Sequence, residues 1–331
     1  MSSVLVAGGA GYIGSHACQT LRDAGHDVVC YDDLSAGHRE ALLGGTFVEG
    51  DIRDVDLVRR TLRNHGVTAV MHFAALLSVP ESVADPVGYY RNNVTGTLAL
   101  LEAMVAESVG EFVFSSTAAV YGTPERMPMT EEHPTRPVNT YGETKHAIER
   151  ALPHYERAYG LRAVSLRYFN ASGADRAGRL GEAHDPETHL IPRALSAITG
   201  GPPLGIFGDD YPTPDGTCVR DFIHVTDLAD AHVRALNWLD DGGASGSYNV
   251  GTGRGDSVQK VVETVEGVTG RPVPTTVGPR RTGDPSALVA ASDRIQRELA
   301  WTPTHSGLRE IVESAWHWHQ SGWRGAAGGA A

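Results

Sequence analysis

The residues of this chain that could do chemistry are a tyrosine and a lysine four positions apart, Tyr141 and Lys145. If the segment is helical, both side chains project from one face, one above the other. A free tyrosine has a pKa of about 10, which is too high for a base near neutral pH. Because a nearby ammonium favours the phenolate, the spacing predicts that Lys145 lowers the pKa of Tyr141 and that Tyr141 acts as a base.

The lysine of this pair belongs to a rare residue type in the chain. Lys145 and Lys260 are the only lysines among 28 basic residues, and there are 11 tyrosines. Chance alone would give about 0.07 Tyr/Lys matches at this spacing. The pair by itself still leaves open a solvent-exposed helical pair without function.

The elements that would position the pair begin with a glycine-rich loop. Residues 4–7 form a short apolar run typical of a buried parallel strand, and a helical pattern starts after residue 11. Glycines at such a junction let the backbone turn tightly and approach a pyrophosphate at the helix N-terminus. The loop therefore predicts a dinucleotide site formed by Gly8, Gly11, Tyr12, Ile13 and Gly14.

Two acidic residues, Asp32 and Asp33, follow the second predicted strand. A carboxylate at this position accepts hydrogen bonds from the adenosine ribose hydroxyls and repels a 2′-phosphate. The sequence therefore predicts NAD and not NADP as the cofactor.

Strands and helices alternate through the first half of the chain. Strands are predicted at residues 4–7, 27–31, 46–49, 69–73, 111–114 and 162–167, and helices at 55–64, 89–108 and 141–159. This order predicts an α/β fold with a doubly wound, Rossmann-type parallel sheet at residues 1–172. Loops rich in Gly, Pro and Asp then predict a smaller mixed α/β lobe at 173–331, of which 223–250 dock back on the first domain. The hydroxyls of Ser115 and Thr117 would end the fifth strand, at the sheet edge where ligands bind.

Composition excludes several classes of protein. A net charge of -12 argues against nucleic-acid and anionic-membrane partners. Three scattered cysteines and the lack of an apolar span or signal peptide predict a cytoplasmic protein. His317 and His319 have no carboxylate or cysteine ligands at suitable spacing, so no metal site is predicted.

Together the glycine loop, the acids after the second strand, Asn92, the strand-five hydroxyls and the Tyr/Lys pair resemble the extended short-chain dehydrogenase/reductase family. Segments 167–170, 208–216, 219–224 and 280–284 extend this likeness to its UDP-glucose (UDP-galactose) 4-epimerases. The resemblance implies an NAD-dependent isomerase that inverts carbon 4 of a UDP-hexose. It would remove the 4-hydroxyl proton and the carbon-4 hydride, and would return the hydride to the other face of a 4-keto intermediate.

The resemblance also implies roles for individual residues. Tyr141 would be the base and later the acid, Lys145 would hold the nicotinamide ribose, and Thr117 would share the hydrogen bond to the 4-hydroxyl. Further implied cofactor contacts are Asp51, Ile52, Phe73, Ala74, Ala75, Asn92, Ser115, Tyr168 and Phe169. Further implied UDP-sugar contacts are Asn170, His189, Leu190, Ile206, Phe207, Arg220, Arg281, Asp284 and Leu288. Among these, the two arginines would bind the diphosphate, Asp284 the uridine ribose, and Phe207 would lie near the uracil.

Four residues depart from patterns in the family: Ala7 stands where a threonine is often found, and His189 where many members have an asparagine. Leu77 and Leu288 stand where some members have a lysine and a tyrosine. A smaller side chain at residue 288 opens the sugar pocket and predicts some tolerance for N-acetylated sugars. The resemblance further implies a homodimer through helices 89–108 and 141–159.

Several alternatives share these features. A 4,6-dehydratase needs an acid and a base just after the strand-five threonine, and Ala118 and Ala119 cannot transfer a proton. A UDP-N-acetylglucosamine or UDP-glucuronate 4-epimerase stays open, as does a glucuronate decarboxylase. Outside the enzymes, a non-catalytic NAD-binding sensor stays open, although it would not need the Tyr/Lys pair.

Overall fold

The structure is a computed structural model that describes residues 2–281 and 284–323. Its strands are β1 Ser3–Ala7, β2 Asp27–Asp32, β3 Thr46–Glu49, β4 Ala69–His72, β5 Glu111–Thr117, β6 Arg162–Tyr168, β7 Asn170–Ser172, β8 Leu204–Phe207, β9 Val219–Arg220, β10 Phe222–His224, β11 Gly246–Val250, β12 Asp256–Ser257, β13 Thr275–Gly278 and β14 Ala287–Leu288. Its helices are α1 Tyr12–Asp23, α2 Val55–Asn64, α3 Val79–Ala84, α4 Pro86–Tyr89, α5 Thr97–Ala106, α6 Thr140–Tyr159, α7 Leu190–Ile198, α8 Val225–Asp240, α9 Val258–Thr269, α10 Asp293–Leu299 and α11 Leu308–Gln320.

The central element is a seven-stranded parallel sheet with the strand order β3-β2-β1-β4-β5-β6-β11. Alternate residues of β1 face opposite sides, so Val4 and Val6 pack in one core while Leu5 and Ala7 pack in the other. The first core contains residues of α1 and α8, and the second contains residues of α2, α5 and α6. Helices on both faces of a parallel sheet are the doubly wound architecture, which confirms the predicted fold class.

Residues after 172 contribute to both halves of the molecule. α8 packs against α1, and β11 pairs with β6 at the edge of the central sheet. α7, α9 and α11 surround a separate apolar core that includes Ile191, Val261 and Ile311. Two small sheets, β8 with β13 and β9 with β12 and β14, belong to this second region. Thr282, Gly283 and residues 324–331, which fall within the predicted second lobe, lie outside the described residues.

The single helix predicted at 89–108 is wrong in its bounds and its regularity. The chain forms α4, then a π-helical segment at Tyr90–Gly96, and then α5. Gly96 sits so close to Ile52 that a Cβ atom would lie 2.8 Å from that side chain. Apolar periodicity alone does not reveal a wider helical turn of this kind. Among the described residues no helix is both long and apolar enough to cross a membrane.

Candidate active site

A cavity of about 940 Å³ lies along the carboxyl ends of the central strands, where ligands bind in doubly wound folds. Most of the residues predicted to bind cofactor or substrate line it: Gly8, Gly11, Tyr12, Ile13, Gly14, Asp32, Asp33, Ile52, Phe73, Ala74, Ala75, Asn92, Ser115, Thr117, Tyr141, Lys145, Tyr168, Phe169, Asn170, His189, Leu190, Arg220, Arg281, Asp284 and Leu288. Residues separated by up to 280 positions in the chain thus meet in one space.

Tyr141 and Lys145 lie one turn apart at the start of α6. Asn139 caps this helix by accepting a hydrogen bond from the Gly142 amide at 2.8 Å. A Cβ atom on Gly142 would lie only 2.6 Å from the carbonyl oxygen of Ala119, so a glycine lets the helix approach the end of β5. This close approach places Tyr141 within hydrogen-bond reach of Thr117, the last residue of β5.

Lys145 is 3 % exposed and donates a hydrogen bond from Nζ to the backbone oxygen of Ser115 at 2.8 Å. Its ammonium also lies 4.9 Å from the centre of the Phe114 ring. Burial lowers the pKa of Lys145 to about 7, although the charge of Glu149 opposes this shift. The lysine is therefore a poorly solvated amine that is partly uncharged near neutral pH and is held by the wall of the cavity.

The prediction that Lys145 lowers the pKa of Tyr141 is wrong for the protein alone. Burial raises the pKa of Tyr141 above its ordinary value, and a hydrogen bond from Thr117 offsets only part of this rise. The charge of the lysine is evident from the sequence, but the desolvation of both groups is not. Without a bound ligand, Tyr141 is therefore protonated at neutral pH.

The glycine loop joins β1 to α1 and also lines the cavity. Packing requires glycine at positions 8 and 14. A Cβ atom on Gly8 would lie 2.4 Å from the Ala74 nitrogen, and one on Gly14 would lie 2.1 Å from the Gly8 oxygen. Gly11 caps α1, and a Cβ atom there would have only one neighbouring heavy atom within 4 Å, the Gly8 oxygen at 3.4 Å. The first turn of α1 carries no acidic residue. The N-terminus of α1 thus presents backbone N–H groups to an open space, which suits a diphosphate.

The two acids after β2 differ in their surroundings. Asp32 is buried, and its carboxylate accepts hydrogen bonds from the backbone amides of Ala10 at 2.9 Å and Leu34 at 2.8 Å. Asp33 is exposed and bonds only to Ser35 among the described residues. Asp32 therefore fixes the shape of the loop. Its remaining lone pairs and the carboxylate of Asp33 are available to ribose hydroxyls.

Asn92 lies in the cavity wall, but its neighbour Asn93 does more to shape the site. Asn93 is buried and exchanges two hydrogen bonds with the backbone of Leu76, at 2.9 and 3.0 Å. It also donates to Thr144 of α6 at 3.1 Å. Asn93 thus ties the loop after β4 to the helix that carries Tyr141, a role that the sequence did not indicate.

The far end of the cavity contains the residues predicted to bind the nucleotide. Arg220 and Asp284 form an ion pair with each other, and Leu288 stands beside Arg220 in the β14–β9 pairing. The guanidinium of Arg281 lies 4.0 Å from the centre of the Phe207 ring. Two cations and one carboxylate therefore meet at this mouth.

Three predicted contacts do not line the cavity. Asp51 forms an ion pair with Arg53, Ile206 is buried in β8, and Phe207 lies beside the cavity under Arg281. A buried network behind the site could not be predicted from the sequence. Arg167 donates to both carboxylate oxygens of Glu149, at 2.9 and 2.6 Å, and Ser116 donates to the same carboxylate at 2.6 Å.

Comparison with known proteins adds to this geometry. Residues 4–251 match the family described as the NAD dependent epimerase/dehydratase family. The UDP-glucose 4-epimerase of Azospirillum brasilense is 54 % identical over 335 residues, which cover 99 % of this chain and 96 % of the relative.

Solved structures agree with the sequence matches. The UDP-glucose 4-epimerase from Brucella ovis in complex with NAD superposes with a TM-score of 0.94 at 49 % identity, covering 96 % of this chain and 98 % of that chain. The enzyme from Stenotrophomonas maltophila, with bound NAD and formylated UDP-arabinopyranose, gives a TM-score of 0.94 at 40 % identity, covering 97 % and 98 %. Both likenesses run through the first and the second lobe.

Proposed function

The chain belongs to the NAD-dependent epimerase/dehydratase family, and we propose that it interconverts UDP-galactose and UDP-glucose by inverting carbon 4 of the sugar. The observation that carries this proposal is that Tyr141, Thr117 and Lys145 line one cavity together with the glycine loop, with Tyr141 next to Thr117. The similarity to UDP-glucose 4-epimerases at about half of all positions, over nearly the whole chain, supports the same reaction.

The residues of the cavity fit NAD. The open N-terminus of α1 at Gly11 suits the diphosphate, and Asp32 and Asp33 suit a ribose with free hydroxyls. When bound, NAD supplies a hydride acceptor that carries a positive charge in its oxidised form. Such a charge favours the phenolate of Tyr141, which burial disfavours in the protein alone.

The chain's own residues carry the proton chemistry. Tyr141 takes the proton from the sugar 4-hydroxyl, and Thr117 holds that hydroxyl by a hydrogen bond. Lys145 donates a hydrogen bond to a ribose hydroxyl of the cofactor. After the sugar turns over in the site, Tyr141 returns the proton to the oxygen of carbon 4. Ala118 and Ala119 supply no second acid or base, so elimination of water does not compete.

The nucleotide part of the substrate is assigned to the far end of the cavity. Arg220 and Arg281 bind the diphosphate, because guanidinium groups match phosphate oxygens in geometry and charge. Asp284 exchanges its ion pair with Arg220 for the uridine ribose, and Phe207 packs near the uracil. In this assignment residues 1–172 with 223–250 hold NAD, and the remainder of 173–331 holds the UDP-sugar.

The breadth of sugar specificity is assigned to Leu288. This side chain lines the cavity and packs with a cluster that includes Ala118 and Tyr121. We expect turnover of UDP-N-acetylglucosamine in addition to UDP-galactose, because leucine leaves more space than tyrosine. Replacing Leu288 by tyrosine should lower the rate on the N-acetylated sugar at least tenfold more than the rate on UDP-galactose, roughly 1.4 kcal/mol of discrimination.

The proposed assembly is a homodimer formed by α5 and α6. A groove of about 340 Å³ on their outer face is lined by Leu98, Ala99, Val105, Tyr155 and Tyr159, among others. Tyr159 is 62 % exposed, which is unusual for an aromatic residue outside an interface. A monomeric mass in solution would contradict this assembly.

The proposed compartment is the cytoplasm, in keeping with three buried cysteine thiols, all of which lie within the described residues.

The function is tested by comparing rates on UDP-galactose, UDP-N-acetylglucosamine and UDP-glucuronate with the purified protein. Formation of UDP-glucose from UDP-galactose is the expected main reaction. If the protein turns over UDP-glucuronate alone, then UDP-glucuronate and not UDP-galactose is its substrate. If folded, NAD-loaded protein turns over none of the three sugars, the result favours a non-catalytic NAD-binding sensor.

A further inference from the structure

Two glutamates and two histidines meet in the segment that leads into α7. Glu182, His184, Glu187 and His189 each offer one ligand atom, and these four atoms lie within 4.8 Å of one another. The carboxylate side chain of Glu182 is only 4 % exposed, while those of His184 and Glu187 are 22 % exposed. Of the four, His184 and His189 line the cavity, and His189 is also an implied UDP-sugar contact, whereas Glu182 and Glu187 do not line it.

The separations within this cluster are close to those of a metal coordination sphere. The Nδ1 atom of His184 lies 3.0 Å from Glu182 and 3.9 Å from Glu187, and Nδ1 of His189 lies 3.7 Å from Glu187. Nδ1 of His189 also contacts Glu182 directly. In a tetrahedral zinc site with bonds of about 2.0–2.2 Å, ligand atoms are roughly 3.3–3.6 Å apart. Small side-chain shifts would bring all four atoms to such positions.

The two carboxylates of the cluster favour the binding of a cation. The ligand oxygens of both carboxylates lie within 4.8 Å of the two imidazole ligand atoms, in a segment where Glu182 is almost fully shielded from solvent. The ionic contacts recorded for these carboxylates within residues 2–281 and 284–323 are to His184 and His189 alone. Two neutral imidazoles and two carboxylates are a ligand set that suits a divalent transition metal, and zinc above all.

The backbone around the cluster is held in place independently of any ion. Trp318 donates a hydrogen bond to the Glu182 backbone oxygen at 2.8 Å, and a Cβ atom on Gly181 would collide with the same indole. His38 contacts the Ala183 backbone oxygen at 2.9 Å. The segment between β7 and α7 has no regular secondary structure, and loops of this length are uncommon unless something orders them.

We propose that Glu182, His184, Glu187 and His189 bind one Zn²⁺ ion, which orders the segment before α7 and fixes the ring of His189 at the cavity wall. The ion cross-links a loop and is not a reactant, since all four positions are filled by protein. His184 also packs edge-on against Tyr12 of the glycine loop, with ring centres 6.2 Å apart. The site therefore connects the second lobe to the loop that faces the cofactor.

The test is a metal analysis of the full-length, untagged protein. The protein is equilibrated with a slight excess of ZnCl₂, desalted and analysed by mass spectrometry for zinc. We expect roughly one zinc ion per chain for the wild type. The double variant His184→Ala/His189→Ala should retain less than about a tenth of this amount. His317→Ala is the matched control, because His317 is an exposed histidine of the same lobe, and it should retain the full amount.

A stability measurement keeps the test decisive if the double variant folds poorly. Because bound zinc stabilises the folded state, a chelator should lower the Tm of the wild type, and added zinc should restore it. Glu187→Gln preserves the shape of the side chain and should weaken zinc binding at least about tenfold. Wild type that holds no more zinc than the double variant overturns the proposal. A wild-type Tm unaffected by chelator and by zinc also overturns it, and leaves hydrogen bonds between the histidines and the glutamates as the explanation of the cluster.

Discussion

Replacing Glu149 by glutamine removes one charge from the buried ion pair behind the catalytic lysine. The Glu149 and Arg167 side chains are 4 % and 9 % exposed. The carboxylate accepts three hydrogen bonds, two from Arg167 and one from Ser116. Glutamine keeps one acceptor oxygen, but it turns an amide N–H₂ group toward the guanidinium and leaves that cation without a counter-charge.

The expected loss follows from the burial of the pair. Removing one partner of a buried ion pair costs about 3–5 kcal/mol, and we expect the lower end because one acceptor remains. At about 2 °C per kcal/mol, the lower end of the range for domains of 150–250 residues, the Tm should fall by about 6 °C. The direct assay is thermal unfolding of cofactor-free protein, followed by circular dichroism.

Two controls separate the effect of burying the ion pair from the effect of removing a charge. Asp230 pairs with Arg234 on the surface of α8, where the side chains are 42 % and 40 % exposed. Asp230→Asn should therefore cost less than about 1 kcal/mol. The double variant Glu149→Leu/Arg167→Met removes both buried charges and should recover much of the stability lost by the single variant. A Glu149→Gln protein as stable as Asp230→Asn would refute the reasoning.

Two further predictions concern the helix that carries Tyr141 and the buried histidines. Gly142→Val should lower kcat at least tenfold while NAD stays bound. The new side chain collides with the Ala119 carbonyl and moves Tyr141 away from Thr117. An unchanged kcat would contradict this prediction. Stability should also fall as the pH drops from about 6.5 toward 4, because four buried histidines are uncharged in the folded protein and become protonated on unfolding. Burial lowers their pKa values to about 4, 3, 4 and 4 for His16, His72, His224 and His232, from an ordinary value near 6.5. Each contributes up to about 1.4 kcal/mol per pH unit in this window, so a Tm independent of pH between 6.5 and 4.5 would contradict the account.

The sheet and the cofactor loop could be predicted from sequence because their signals are local. Short apolar runs such as residues 4–7 and the glycines that follow them depend on backbone geometry within a few residues. The Tyr141 and Lys145 spacing is also local, since both residues stand on one helical turn. The approach of Thr117 to this pair could be inferred only from the rule that ligands bind at the carboxyl edge of such sheets.

Features that depend on contacts between distant residues could not be predicted in this way. The pairing of Glu149 with Arg167 joins α6 to β6, and no sequence pattern marks either residue as buried. The sign of the Tyr141 pKa shift depends on desolvation, which a sequence does not state. The Glu182 cluster did have a signal, two histidines five positions apart with glutamates between and before them. The spacing of these four residues matches none of the common zinc-binding patterns, so the sequence alone did not predict a site there.

The central claim is that Tyr141 transfers the proton of the sugar hydroxyl. The most direct test measures UDP-glucose formation from UDP-galactose by Tyr141→Phe, together with its content of bound NAD. Loss of the only proton-transfer group should lower kcat by on the order of 10³-fold, while NAD stays bound because the glycine loop is unchanged. A variant that keeps NAD and more than about a tenth of the wild-type rate would contradict the assignment.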